Sequence, residues 1–93
     1  MIESFADKET QKIFDGLTST KYANIQNTAK RKLDMIHFAS SEQDLIIPPS
    51  NRFEHLRGNL KGYCSIRIND QYRIVFKFKN SMAYNVEITN HYK

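Results

Sequence analysis

The stretch of sequence that decides the fold is YCSIRINDQYRIVFKF, residues 63–78. Apolar and polar side chains alternate along both of its halves, which predicts two β-strands, Tyr63 to Ile68 and Tyr72 to Phe78. The three residues between them, Asn-Asp-Gln, favour a turn. These signals together predict an antiparallel strand pair in the middle of a sheet.

The alternation also predicts which way the side chains of this pair point. One face should carry the apolar residues and cover the helices: Ile66, Ile68, Ile74, Phe76 and Phe78. Because successive strand side chains point to opposite faces, the other face should carry Arg67, Arg73, Lys77 and Lys79. A sheet with helices on one side and cations on the other is suited to binding phosphate groups.

Two further strands are predicted beside this pair, from Arg52 to Leu56 and from Met82 to Ile88, the latter after a turn at residues 80–81. Residues 2–5 are a candidate for one more short strand. The segment Leu45–Pro49 ends in two consecutive prolines, so we expect it to be non-helical and to cross from the helical layer to the sheet.

Helical periodicity dominates the first half of the chain. Asp7 is a candidate N-cap for a short helix that ends near Gly16 and has apolar positions at Ile13, Phe14 and Leu17. A longer helix is predicted over about residues 22–38, with one buried stripe formed by Ile25, Ala29, Leu33 and Ile36. The predicted class is α+β, in which two N-terminal helices pack on one face of a small antiparallel β-sheet. We expect the 93 residues to form a single domain, 1–93.

Positive charge is concentrated in the second half. The whole chain has a net charge of +4, yet residues 50–80 alone carry +5, from two acidic residues and seven basic ones: Arg52, Arg57, Lys61, Arg67, Arg73, Lys77 and Lys79. Such a concentration indicates a polyanionic partner such as nucleic acid. A basic face that is merely solvated is the alternative, and charge by itself does not decide between the two.

Several classes of protein are disfavoured by composition. Cys64 is the only cysteine, so no intramolecular disulfide can form, and we expect it in the core. The three histidines are far apart in sequence, and no metal or other cofactor is expected. The chain lacks both a signal-peptide pattern and an apolar run of membrane-spanning length, so we expect a cytoplasmic protein with no membrane association.

Two consecutive stretches resemble a known family: PPSNRFEHLRGNLKG, residues 48–62, and YCSIRINDQYRIVF, residues 63–76. Together with the opening MIESFADKET and the closing VEI, residues 86–88, they make nearly the whole chain similar to the HigB branch of the RelE/ParE toxin superfamily. The resemblance implies a RelE-like fold and the toxin of a type II toxin–antitoxin system. The implied partner is a HigA-type helix-turn-helix antitoxin, through which alone the toxin would reach operator DNA.

The resemblance also implies an endoribonuclease that cleaves messenger RNA in the A site of the small ribosomal subunit. Without a metal, such cleavage uses the substrate's 2′-hydroxyl to attack the adjacent phosphate, and it needs a base, an acid and cations. The family motif [YW]RI.F gives Arg73 the role of stabilising the transition-state phosphate, with similar work expected of Arg57. Further candidates for RNA contact are Arg52, Lys61 and Arg67.

The C-terminal tail supplies candidates for the acid and the base. Many relatives end in Asp-Tyr-His, whereas this chain ends Asn-His-Tyr-Lys. The aspartate carboxylate is therefore lost, and the tyrosine and histidine have exchanged places. His91 is preferred because histidine titrates near neutral pH. Tyr92 is a candidate for orienting or stacking on the substrate or for donating a proton, and Asn90 for RNA contact.

His55 is a second candidate for acid–base work. It lies two residues before Arg57 on the predicted strand, so both side chains should share a face, with Glu54 on the opposite face. Two other functions stay open: a ParE-like inhibitor of DNA gyrase, and a catalytically inactive module that only binds its antitoxin. These proteins share a fold, which therefore cannot separate them, and the basic face with Arg57, Arg73 and His91 favours the endoribonuclease.

Overall fold

The predicted strand pair forms the middle of the sheet in the computed structural model, which describes residues 1–90. Ser65 pairs with Val75 and Arg67 with Arg73 in antiparallel register. The described helices are α1 (Lys8–Phe14), α2 (Gln26–Phe38) and α3 (Gln43–Ile46). The described strands are β1 (Glu54–His55), β2 (Cys64–Arg67), β3 (Tyr72–Lys79) and β4 (Met82–Asn90), which pair as antiparallel neighbours in chain order.

Turn-forming residues stabilise the β2–β3 and β3–β4 connections. Between β2 and β3, the side-chain carbonyl of Asn69 accepts hydrogen bonds from the backbone N–H groups of Gln71 and Tyr72, each at 2.8 Å. Between β3 and β4, Asn80 and Ser81 both have positive φ angles, of 53° and 66°. A two-residue turn of this kind matches the right-handed twist of the strands that it joins.

The predicted helical stripe packs on the apolar face of the sheet. Residues Ile25, Ala29, Leu33 and Ile36 are buried, and so are their expected partners Ile66, Ile74 and Phe76, all within one core. The α+β class, with helices on one face of an antiparallel sheet, is therefore confirmed. No helix within residues 1–90 is both long and apolar enough to cross a membrane.

The first helix is shorter than its apolar pattern indicates. Asp7 caps it as predicted, accepting a hydrogen bond from the Thr10 N–H at 3.2 Å. Leu17 was expected on its apolar face but lies beyond its end, and 55% of the residue is exposed. Gly16, with a φ of +83°, turns the chain away before Leu17 can join that face.

The segment between the two layers is more helical than its prolines indicate. Residues 43–46 form α3, which buries Leu45, and a 3₁₀ turn follows at Pro49–Asn51. Proline is tolerated in a first helical turn, where its missing N–H group costs nothing. Arg52 then adopts a left-handed conformation with φ of 45° and ψ of 55°. The strand predicted from Arg52 to Leu56 is consequently reduced to two residues.

Residues 2–5 do not form a full strand. They contact β4 through two parallel bridges, Ile2 with Ala83 and Phe5 with Val86. His37, at the end of α2, supports this segment by accepting a hydrogen bond from the Ile2 N–H at its Nδ1 atom, at 3.1 Å. The segment therefore covers part of the exposed edge of β4.

Candidate active site

A groove of about 440 Å³ lies on the sheet face that points away from the helices. Its position follows from strand alternation, because its strand residues alternate with the buried Ile66, Ile74 and Ile88. Within residues 1–90, the lining combines one guanidinium, one carboxylate, small polar groups and apolar side chains: Glu54, Leu56, Leu60, Ser65, Arg73, Val75, Thr89 and Asn90.

Arg73 is the cation of this groove. It points away from the helices as predicted, but it is buried rather than displayed, with 7% of the residue exposed. Its Nε donates to the Ser65 hydroxyl at 2.8 Å, and its Nη2 donates to the backbone carbonyls of Arg52 and Ser65. Among residues 1–90, no hydrogen bond engages Nη1, so this edge of the guanidinium is the one offered to an anion.

Burial lowers the pKa of the Arg73 guanidinium, and the nearby Glu54 carboxylate opposes that effect. An arginine stays protonated near neutral pH in either case. Since few other dipoles or ions screen a buried charge, its attraction for a phosphate is stronger here than at an exposed position. The arrangement can thus stabilise the extra negative charge of a pentacoordinate phosphate.

The other predicted RNA-binding cations do not line the groove. Arg67 lies directly opposite Arg73 in the strand register, but its guanidinium binds the Asp70 carboxylate. Arg52 contributes its backbone carbonyl to Arg73. Three basic residues are exposed and lie within two positions of a groove-lining residue in the sequence: Arg52, Arg57 and Lys61. Of the predicted cations, Arg73 is therefore the one that lines the described groove.

The expected positions of His55 and Glu54 are reversed. His55 pairs with Cys64, on the helix side of the sheet, and its Nε2 lies 3.1 Å from the Glu42 carboxylate. Glu54 pairs with Ser65 and lines the groove. The parity with Arg57 was misleading because β1 ends at His55, and Arg57 instead precedes a 3₁₀ turn.

The site residues that sequence reasoning missed are Glu54 and Ser65, which hold or face the arginine. Ser65 could have been predicted, because it lies two residues before Arg67 in β2 and both side chains therefore lie on the same face of the sheet. Glu54 could not be found in that way, because its face depends on where β1 begins and ends. Asn90, a predicted RNA contact, does line the groove at the end of β4. His91 and Tyr92 lie outside the described residues.

Neither thiol nor metal chemistry is offered by the described residues. Cys64 is buried in the core, where burial raises the pKa of its thiol to about 12 and so suppresses the reactive thiolate. Within residues 1–90, no group of three His, Cys, Asp or Glu side chains could hold a metal ion. The groove is therefore equipped for charge stabilisation by Arg73, and Glu54 is the one carboxylate that residues 1–90 contribute to it.

Comparison with known proteins identifies relatives along nearly the full chain. Residues 3–91 match the family described as the RelE-like toxin of type II toxin-antitoxin system HigB. The toxin HigB-1 of Vibrio cholerae is 51% identical over 69 residues, which are 74% of this chain and 73% of that protein. An uncharacterized protein of Haemophilus influenzae is 34% identical over 91 residues, 96% of this chain and 90% of that one.

Solved structures show the same fold at lower identity. YafQ from Escherichia coli superposes with a TM-score of 0.69 at 15% identity, covering 99% of this chain and 93% of YafQ. The YoeB–YefM complex from Staphylococcus aureus contains a chain that matches with a TM-score of 0.55 at 18% identity, covering 94% and 95% of the two chains. At these identities the likeness shows a shared fold.

Proposed function

Because the chain belongs to the HigB family of RelE-like toxins of type II toxin–antitoxin systems, we propose that it is an endoribonuclease that cleaves messenger RNA in the ribosomal A site. The proposed chemistry is attack of the substrate's own 2′-hydroxyl on the adjacent phosphate. It leaves a 2′,3′-cyclic phosphate on one fragment and a free 5′-hydroxyl on the other, so neither a metal nor a covalent enzyme intermediate is needed.

The observation that carries this proposal is the buried guanidinium of Arg73 in a groove that also contains a carboxylate. In the proposed mechanism, Arg73 binds the scissile phosphate through Nη1 and stabilises the charge that develops during attack. The exposed basic residues at positions 52, 57 and 61 would attract the RNA backbone, an effect that salt would weaken. Arg57 is the one that we propose to assist catalysis as well.

Two groups are proposed to share the proton transfers, and a third is proposed to position the RNA. Glu54 lines the groove, so its carboxylate can accept the proton of the 2′-hydroxyl. The chain runs on from Asn90, which also lines the groove, into His91 and Tyr92. We propose His91 as the acid that protonates the leaving 5′-oxygen, since imidazole titrates near neutral pH. Tyr92 is proposed to orient the RNA substrate or to stack on one of its nucleobases.

Two partners are part of the proposal. The toxin–antitoxin family implies an antitoxin, for which we propose a HigA-type helix-turn-helix protein that alone contacts operator DNA. The ribosomal small subunit would position the message, because the part of the groove that residues 1–90 form has a single buried cation and few contacts for holding RNA in register. Cytoplasmic location follows from the proposed ribosomal substrate.

Inducible expression in a bacterium followed by mapping of transcript ends tests this function. The proposal predicts growth arrest with cuts inside translated messages, in frame with their codons, and no cuts in messages whose start codon is removed. The Arg73→Ala variant, provided that it is soluble and folded, should cause neither growth arrest nor cuts in messages. DNA double-strand breaks with intact messages would instead indicate a gyrase inhibitor, and absence of both effects would indicate a module that only binds its antitoxin.

A further inference from the structure

A buried lysine lies on the helix side of the sheet, the side opposite the groove. Lys32, on α2, is only 5% exposed, yet no carboxylate within residues 1–90 pairs with it. Its Nζ instead donates to the side-chain carbonyl of Asn51 at 2.6 Å. Burial lowers the pKa of this ammonium group. Burying a charge without an ion-pair partner costs folding free energy. This cost points to a contribution of Lys32 to the site.

Asn51 connects Lys32 to the backbone segment that binds Arg73. It is fully buried, and its side-chain amide donates to the Leu45 carbonyl at 3.0 Å. Its neighbour Arg52 is held in the left-handed conformation, which residues with a side chain seldom adopt without external support. The Arg52 carbonyl then accepts the hydrogen bond from Nη2 of Arg73.

We propose that Lys32 and Asn51 are positioning residues for the cleavage reaction: they hold the Arg52 carbonyl in place and thereby set the orientation of the Arg73 guanidinium. This inference rests on the proposed function in so far as Arg73 binds the scissile phosphate. The connection is continuous, from Lys32 Nζ to Asn51, along one peptide bond to Arg52, and from its carbonyl to Arg73.

The connection has a consequence for the rate of reaction. The Arg73 side chain, which lines the groove, is held from two sides, by Ser65 and by the Arg52 carbonyl. If Arg52 relaxes to an ordinary backbone conformation, its carbonyl moves and the guanidinium loses one of these anchors. Misplacement of a catalytic group by about 1 Å can cost on the order of 100-fold in rate.

The test compares Lys32→Met with Arg31→Met, a matched control because Arg31 is exposed on the same helix. The first readout is hydrogen exchange of the Arg73 Nε–H, measured by NMR on the purified protein without substrate. The second is single-turnover cleavage of ribosome-bound message, measured beside the affinity for the ribosome. We expect Lys32→Met to accelerate exchange and to slow cleavage at least about 10-fold, with ribosome affinity and the Arg31→Met variant unchanged.

A double-mutant cycle separates positioning from general support of the fold. In an Arg73→Lys background, adding Lys32→Met should cause no further loss of rate, because the residue through which it acts is already altered. The inference would be overturned if the rate loss of the double variant equalled the product of the losses of the two single variants. It would also be overturned if Lys32→Met showed wild-type hydrogen exchange and a wild-type cleavage rate. If Lys32→Met does not fold, Lys32→Gln replaces it in every arm. A wild-type protein that cuts no message refutes the proposed function, whereas the exchange measurement still decides the positioning.

Discussion

Arg73 serves both the fold and the proposed chemistry. Its Nε and Nη2 groups bind the Ser65 hydroxyl and the Arg52 carbonyl, while the same side chain lines the groove. A cation held from behind in this way needs no reorganisation when a phosphate arrives, which is the property that makes electrostatic stabilisation effective. A lysine at this position would keep the charge but could not form the same planar fork of hydrogen bonds.

Arg73→Ala is therefore expected to lower both stability and activity. It leaves the Arg52 carbonyl and the Ser65 hydroxyl without their donor, which should cost about 1–3 kcal/mol in the free energy of unfolding. Urea denaturation checks this value, with Lys79→Ala as the control because Lys79 is exposed at the end of the same strand. Cleavage at the wild-type rate by the folded Arg73→Ala protein would contradict the catalytic assignment.

The Cys64 thiol provides a second test at the level of one residue. Since burial raises its pKa to about 12, the folded protein should hold almost no thiolate at pH 8 and should resist alkylation. Addition of urea should make labelling stoichiometric at the concentrations where the protein unfolds, as followed by circular dichroism. Rapid, complete labelling in native buffer would show that the core around Cys64 opens more readily than the structure indicates.

Among the elements, α2 contributes apolar side chains to the core: Ala29, Leu33 and Ile36. Its stripe was predictable because helical periodicity is a local property of the sequence. The short extent of β1 was not, because it depends on the left-handed Arg52, which contacts outside that strand hold in place. The same error reversed the faces assigned to Glu54 and His55, because they were inferred from parity with Arg57, which lies beyond the end of β1.

Leu33→Ala measures the contribution of α2. Leu33 is fully buried in the core, so the truncation should reduce the free energy of unfolding by about 2–5 kcal/mol. Phe38→Ala is the matched control on the same helix, because 78% of Phe38 is exposed. Equal losses of stability in the two variants would mean that the helix packs differently from the described arrangement.

At the scale of the whole molecule, the groove is assembled from parts of the chain that are far apart in sequence. Glu54 comes from β1, Arg73 from β3 and Asn90 from the end of β4. The family motif predicted Arg73, and strand alternation predicted its face. Which carboxylate would join it depended on the register between β1 and β2, which no local pattern in the sequence specifies.

The division of acid–base work can be tested with two conservative variants. We expect His91→Gln and Glu54→Gln each to slow single-turnover cleavage by about 10²–10⁴-fold, the usual range for a general acid or base, with ribosome affinity little changed. Arg57→Ala should impair both affinity and rate. A His91→Gln rate within about threefold of wild type, well short of that range, would transfer the acid role to Tyr92.

The most direct measurement uses purified toxin, ribosomes and a message with a single 2′-deoxynucleotide immediately 5′ of the scissile phosphate. If the substrate's 2′-hydroxyl is the nucleophile, cleavage at that bond should be abolished. The all-ribose message should be cut there to give a 2′,3′-cyclic phosphate and a 5′-hydroxyl, without added metal and with dependence on Arg73. Cleavage of the deoxy-substituted message at the same bond and rate would contradict the proposed chemistry.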